Sequence, residues 1–183
     1  MARLPIQDPA TATGSNKTIF EALQKALGTV PNMARVMATA PAVLQAYASF
    51  HSAIGSAKLS PQLREQIALL AAETNACTYC LSAHTALGRM AGLSQAQIDG
   101  ARVGDVASPR DRAALQFARS ILESRGGISD ADVDSLRRNN FTDAEIAEIV
   151  AVVALNVFTN YFNRAFDVDV DFPRVEAHAA ASR

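Results

Sequence analysis

The chain has 183 residues, with 17 Lys and Arg set against 18 Asp and Glu for a formal net charge of -1. That length suits one domain with a buried core, and the balanced charge gives no long-range field to recruit nucleic acid or an anionic membrane. The only two cysteines, Cys77 and Cys80, stand too close together to staple distant parts of a fold.

The N-terminal residues Met1-Ala2-Arg3-Leu4-Pro5-Ile6-Gln7-Asp8-Pro9 lack the apolar run of a signal peptide, and no window reaches the roughly 20 apolar residues that span a bilayer. A cytoplasmic protein without a membrane partner is therefore expected. In that reducing compartment a Cys-x-x-Cys pair is more often catalytic or metal-binding than a structural crosslink.

Residues 1–16 read as an arm, rich in Pro, Thr, Ala and Gly over the first 14. Ile19, Phe20, Leu23, Ala26 and Leu27 fall at helical spacing before Gly28, which predicts a first helix over 17–27. Pro31-Asn32-Met33 opens a short helical piece carrying Met33, Val36 and Met37. Pro41 starts another, with Val43, Leu44, Tyr47 and Phe50 on one side. Ser60-Pro61 is a strong start signal, since Ser60 can cap free amides and Pro61 stands where a missing N–H costs nothing; a helix over 61–75 follows. Asn75-Ala76 marks a break, and Cys77 or Thr78 begins the next helix, which runs to about Ala91 before Gly92.

Ser94 and Gln97 have the spacing of a reciprocal capping box, and a short helix should end by Gly104. Ser108-Pro109 opens a long helix to about Arg125, stopped by Gly126-Gly127. Ser129-Asp130-Ala131-Asp132 and Thr142-Asp143-Ala144-Glu145 are further starts, the second a capping box in its Thr-x-x-Glu form. The last long helix, 143–165, carries little charge and many apolar residues, so it is expected to be the central buried one. Strand alternation is absent. The fold class is all-α, a bundle of roughly seven or eight helices over residues 17–173, with a tail at 174–183.

The chemistry-bearing stretch is Glu65 to Arg89. Cysteines at a helix start, one at the cap and one a turn inside, both feel the partial positive charge of unpaired amides, which favours thiolate. His84 follows Cys80 by four residues and Cys77 by seven, placing the three on one helix face. Two carboxylates precede them. Glu65, among Leu63, Ile67 and Leu70, could reach the dithiol face across an antiparallel hairpin, where desolvation suits it to carrying protons. Glu73 lies about 80° around the same helix, and spacing alone does not choose between them.

Other assignments fit parts of this pattern. Cysteine can be a small core residue, and Glu65 could form a surface ion pair with Arg64 or Arg89. Zinc could take Cys77, Cys80, His84 and Glu65, although a structural zinc site draws on two ligand pairs and no second pair exists here. Haem attachment would need His where Leu81 stands.

Leu63-Arg64-Glu65, Asn75-Ala76-Cys77-Thr78-Tyr79-Cys80, Ala83-His84-Thr85 and Ala91-Gly92-Leu93-Ser94 together resemble the core motif of the AhpD-like alkylhydroperoxidase branch of the carboxymuconolactone decarboxylase family. Val30-Pro31-Asn32, Ser60-Pro61, Asn160-Tyr161-Phe162-Asn163 and Asp171-Phe172-Pro173 resemble its peroxidase-related members. The resemblance spans residues 29–173. It implies an all-helical homo-oligomer, a trimer or hexamer, that reduces hydroperoxides without a tightly bound cofactor. Cys80 would be the peroxidatic thiol, Cys77 the resolving thiol, His84 a member of the proton relay and Glu65 the carboxylate that begins it. Recycling would need an electron-donor protein, lipoyl-bearing or thioredoxin-like, as external dithiol reductant. The best-known members carry a second histidine between the cysteines where this chain has Tyr79, a supporting residue that can donate a hydrogen bond but is a poor base at neutral pH.

Asn156, Asn160, Asn163 and Asp167 form a polar stripe on the last helix, with Arg164 beside it. They either satisfy buried or interface partners or line a peroxide pocket. A non-enzymatic zinc-binding or structural helical oligomer, and a dithiol redox sensor, are the alternatives to the enzyme.

Overall fold

The computed structural model describes residues 2–178, and all regular structure among them is helical, as the sequence leads one to expect. A 3-10 turn, Pro9–Thr11, precedes α1 (Gly14–Leu27), α2 (Asn32–Met37), α3 (Pro41–Gly55), α4 (Pro61–Thr74), α5 (Thr78–Met90), α6 (Gln95–Arg102), α7 (Pro109–Ser124), α8 (Asp130–Arg138) and α9 (Asp143–Phe166). The short α2 brings the helices among the described residues to nine. The start of α1 lies at Gly14, ahead of the expected 17. Its first turn is polar and so lacks the apolar spacing that marks the rest, and Asn16 in that turn donates to the Ala38 carbonyl oxygen at 3.0 Å.

Local capping chemistry sets the other starts. The Ser60 hydroxyl accepts the Leu63 N–H with Pro61 at the first position. Both halves of the capping box form at Ser94/Gln97, Ser129/Asp132 and Thr142/Glu145. Each satisfies two amides that a helix end would leave unpaired. Arg125, in the left-handed region at φ 56°, ends α7 just before Gly126.

The central helix is α4. Residues 66–72 are buried without interruption, and α4 packs against α5, α6, α7 and α9. A helix apolar on every side must be surrounded, and each fully buried leucine such as Leu69 or Leu70 contributes roughly 1.5–3 kcal/mol by leaving water. This corrects the expectation that α9 holds the centre. One face of α9 is buried through Ile149, Val152, Val153 and Asn160, whereas Val150, Phe158 and Tyr161 are exposed on the other. Alone among the described helices, α9 is long and apolar enough to cross a membrane by composition, yet its buried face carries Asn156, Thr159, Asn160 and Asn163 against its neighbours.

The first and last described segments are tied to each other and to the bundle. The Arg3 N–H donates to the Phe166 carbonyl oxygen at 2.7 Å. After α9 an extended strap crosses α5: the Asn32 N–H donates to Asp171 at 2.7 Å and the Val175 N–H to the Ser82 hydroxyl at 2.9 Å. Residues 179–183, half of the expected tail, lie outside the described residues, as does Met1.

Candidate active site

The site is built on the turn between α4 and α5. Asn75 caps α4, and Ala76 takes the left-handed conformation at φ 49°, a position that usually requires glycine. The Cys77 N–H then reaches the Ala72 carbonyl at 2.8 Å and the Ala76 N–H reaches that of Glu73 at 2.9 Å, the paired bonds of a Schellman ending. Cys77 is also the N-cap of α5, its sulfur accepting the Cys80 N–H at 3.2 Å. One residue therefore ends one helix and begins the next, which fixes the first sulfur with respect to both.

Cys77 and Cys80 are joined by a disulfide, with Cα atoms 5.3 Å apart. Cys80 also receives a hydrogen bond from Asn163 of α9, whose Nδ2 lies 3.3 Å from the Cys80 sulfur and 3.3 Å from the Met33 sulfur. A polar cavity of about 330 Å³ opens beside the turn, lined among others by Cys77, Tyr79, Asn163, Arg164 and Arg174. Cys80 is joined to two of these residues, bonded to Cys77 and hydrogen-bonded by Asn163.

One turn further along α5, His84 Nδ1 meets the Glu65 carboxylate at 2.9 Å, both side chains about one-fifth exposed. The structure thus places Glu65 opposite α5. Arg64 is turned to the Leu59 carbonyl and Arg89 to Gln95, so neither takes Glu65 as a surface partner. Glu73 faces elsewhere, binding Arg102 at 2.8 Å and the His178 N–H at 2.6 Å.

Tyr79 is buried, its hydroxyl accepting the Met33 N–H at 3.2 Å and its ring edge-on to Phe172. Burial first, then the Asp171 carboxylate, push its phenol well above the usual range, so it stays protonated. Among the described residues no three His, Cys, Asp or Glu side chains gather as a metal-holding group. The sulfurs pair with each other and His84 with Glu65.

The polar stripe divides by position. Asn156 bonds back to the Val152 carbonyl of its own helix, and Asn160 accepts from Asn75 at 2.9 Å, so both are structural. Asn163 faces the sulfur, and Asp167 is the exposed cap of α9. Sequence reading missed Tyr47 and His51 as members of the site. They lie one turn apart on α3 with ring centroids 5.7 Å apart. Burial and then the Glu65 carboxylate push the Tyr47 phenol up to about 12. Desolvation of its ring by the packing around it, although the residue as a whole is exposed, and then the charge of His84 hold His51 below its ordinary 6.5. Their only sequence signal is a one-turn spacing on α3.

The model of the carboxymuconolactone decarboxylase family matches residues 41–120, which hold α3 to α6 and the whole dithiol motif. An uncharacterised peroxidase-related protein from Silicibacter sp. TM1040 is 30% identical, with 91% of this chain and 88% of that one covered and a TM-score of 0.80. The chain belongs to the carboxymuconolactone decarboxylase family and is AhpD-like. An AhpD-core peroxidase-related protein from Ralstonia eutropha JMP134 is 24% identical over 93% of this chain and 92% of that one, at TM-score 0.85. The debrominase Bmp8, solved as a variant with 2,3,4-tribromopyrrole, shares the fold at 22% identity over 92% and 91% and TM-score 0.79. No curated protein matches the chain.

Proposed function

We propose that the chain is a dithiol-dependent hydroperoxide reductase. The reduced Cys80 thiolate attacks the outer oxygen of a hydroperoxide; the O–O bond breaks, Cys80 becomes a sulfenic acid, and the departing alkoxide takes up a proton. Cys77 then attacks that sulfur, water leaves with the sulfenic oxygen, and the disulfide forms. The observation that carries this reading is the Cys77–Cys80 disulfide at the start of α5 with a His–carboxylate pair one turn beyond it. Glu65 and His84, hydrogen-bonded and partly open to water, are the groups inferred to deliver and remove protons. Tyr79, kept protonated, supports the turn and takes no part in proton transfer.

The cycle calls for an external dithiol, lipoyl-bearing or thioredoxin-like, and for no tightly bound cofactor. A cytoplasmic homo-oligomer, trimer or hexamer, completes the reading. Support for assembly comes from exposed Val150, Phe158 and Tyr161 on α9 and from α3, which buries only Leu44 in the single chain.

The test is hydroperoxide consumption coupled to oxidation of a small dithiol. Cys80→Ser is expected to lower the rate by on the order of 10³ or more, as loss of a nucleophile does. A variant that keeps the wild-type rate refutes the assignment.

A further inference from the structure

Asn163 is 3% exposed and carries an amide whose two ends are treated differently. Its Nδ2 lies 3.3 Å from both the Cys80 and the Met33 sulfur, while its Oδ1 is buried without a partner. A disulfide sulfur and a thioether carry no hydrogen, so only the N–H edge of the amide can face them. Asn160, whose amide also leaves one end unpaired, turns its other end to a second amide, whereas the donor edge of Asn163 is oriented by sulfur.

We propose that Asn163 is a catalytic residue that holds Cys80 as a thiolate. A hydrogen bond donated to an anion favours the anion, and an amide does this without titrating, so the effect does not vary with pH. The inference rests on the dithiol cycle proposed above and adds a direction to its reductive half. Cys77 lines the cavity, and Cys80 is the sulfur that the Asn163 N–H meets. An external dithiol therefore attacks the Cys77 sulfur, forming a mixed disulfide there and expelling Cys80 as thiolate into the Asn163 N–H. The second thiolate of the donor then attacks its own sulfur in that mixed disulfide. The donor leaves oxidised, and Cys77 takes a proton from water. Exchange is faster when the leaving thiolate is stabilised. In the oxidative half, the unpaired Oδ1 is an acceptor available to the O–H of the Cys80 sulfenic acid.

Other charges share the surroundings. Tyr79 and His84 lie on α5 and Glu65 on α4, while Arg164, Asp167, Asp169 and Arg174 ring the cavity. The test must therefore isolate the amide. With only two cysteines in the chain, Cys77→Ser leaves Cys80 as the single thiol and keeps a good cap at the start of α5. In that background the ultraviolet absorbance of the thiolate is followed against pH. Asn163→Ala is expected to raise the midpoint by about one to two pH units, each worth tenfold in thiolate at fixed pH. The near-isosteric Asn163→Asp, placing a carboxylate against the sulfur, raises it as well and covers the case in which the alanine variant does not fold. In the two-cysteine protein, Asn163→Ala should also slow reduction by a small dithiol about tenfold or more, on the same conversion.

A midpoint unmoved in folded Asn163→Ala or Asn163→Asp overturns the proposal. Hydroperoxide turnover answers a separate question. A shifted midpoint in a protein that consumes no hydroperoxide upholds Asn163 and removes the peroxidase reading, whereas normal turnover with unmoved midpoints does the reverse.

Discussion

At its first turn α5 holds two sulfurs that are 1% and 3% exposed, served by backbone amides and the neutral side chain of Asn163. One turn further on it holds His84, about one-fifth exposed and paired with a carboxylate, with Arg64, Tyr47 and His51 close by. The two ends differ in what stabilises charge. A thiolate in a dry site is held by fixed dipoles, which cost no reorganisation and do not titrate. Protons must exchange with water, so the groups that pass them belong at the wet end. In the proposed cycle the nucleophile and the proton supply are thus separated along a single helix, and each end can be altered with limited effect on the other.

The largest effect that separates them is expected from Glu65→Gln. It keeps the shape beside His84 and removes the carboxylate, so kcat/KM for hydroperoxide should fall by about 10²-fold, the lower range for a general acid–base group. The pH profile of Cys80 alkylation should stay close to wild type, because the sulfur end keeps its donors. If alkylation and turnover fall together, the two ends are one electrostatic unit and the comparison fails.

A smaller effect is expected in stability. The Asn75 amide donates to Asn160, which is wholly buried and whose own Nδ2 has no partner. Asn75→Ala strands the Asn160 oxygen as well, at a cost of roughly 1–3 kcal/mol in a urea unfolding experiment. At the wet end, Arg89→Ala removes only an exposed bond to Gln95 and should change stability by no more than about 0.5 kcal/mol. Equal losses at both ends would show that burial does not set the cost.

Capping physics made most of the helix starts legible, because a hydroxyl and an amide three residues apart need nothing from the rest of the fold. The same locality revealed the break at Asn75-Ala76 and the placing of Cys77 at a helix cap. Choices that depend on packing were not legible from spacing. Glu65 and Glu73 are separated by rotation around α4, and which faces His84 depends on where α5 lies; the family resemblance pointed to Glu65, and the hairpin puts it there. The apolar text of α9 reads as a central helix because composition does not tell a covered face from an exposed one. Asn163 was visible as part of a stripe, but its sulfur partner comes from an element 83 residues away in sequence. His51 gave least warning, since only the packing of α3 brings it near His84 and Glu65.

His51 gives the smallest expected effect and the sharpest test of the wet end as a charged unit. Desolvation of its ring, then His84, lowers its proton affinity from the ordinary 6.5, Glu65 opposes the shift and Arg64 adds to it. The folded protein therefore binds this proton less tightly than the unfolded chain, and protonation favours unfolding. The His51 contribution is complete at pH well above 6.5 and is lost as pH falls through 6.5 toward the lower folded value. His51→Gln cannot titrate, so its stability should fall less steeply than that of wild type below that pH, with the two curves parallel above it. In a His84→Gln background one of the charges lowering His51 is gone, and His51→Gln should flatten the curve by less. If it flattens the curve equally in both backgrounds, His84 does not depress His51, and the imidazoles at this end of α5 titrate independently.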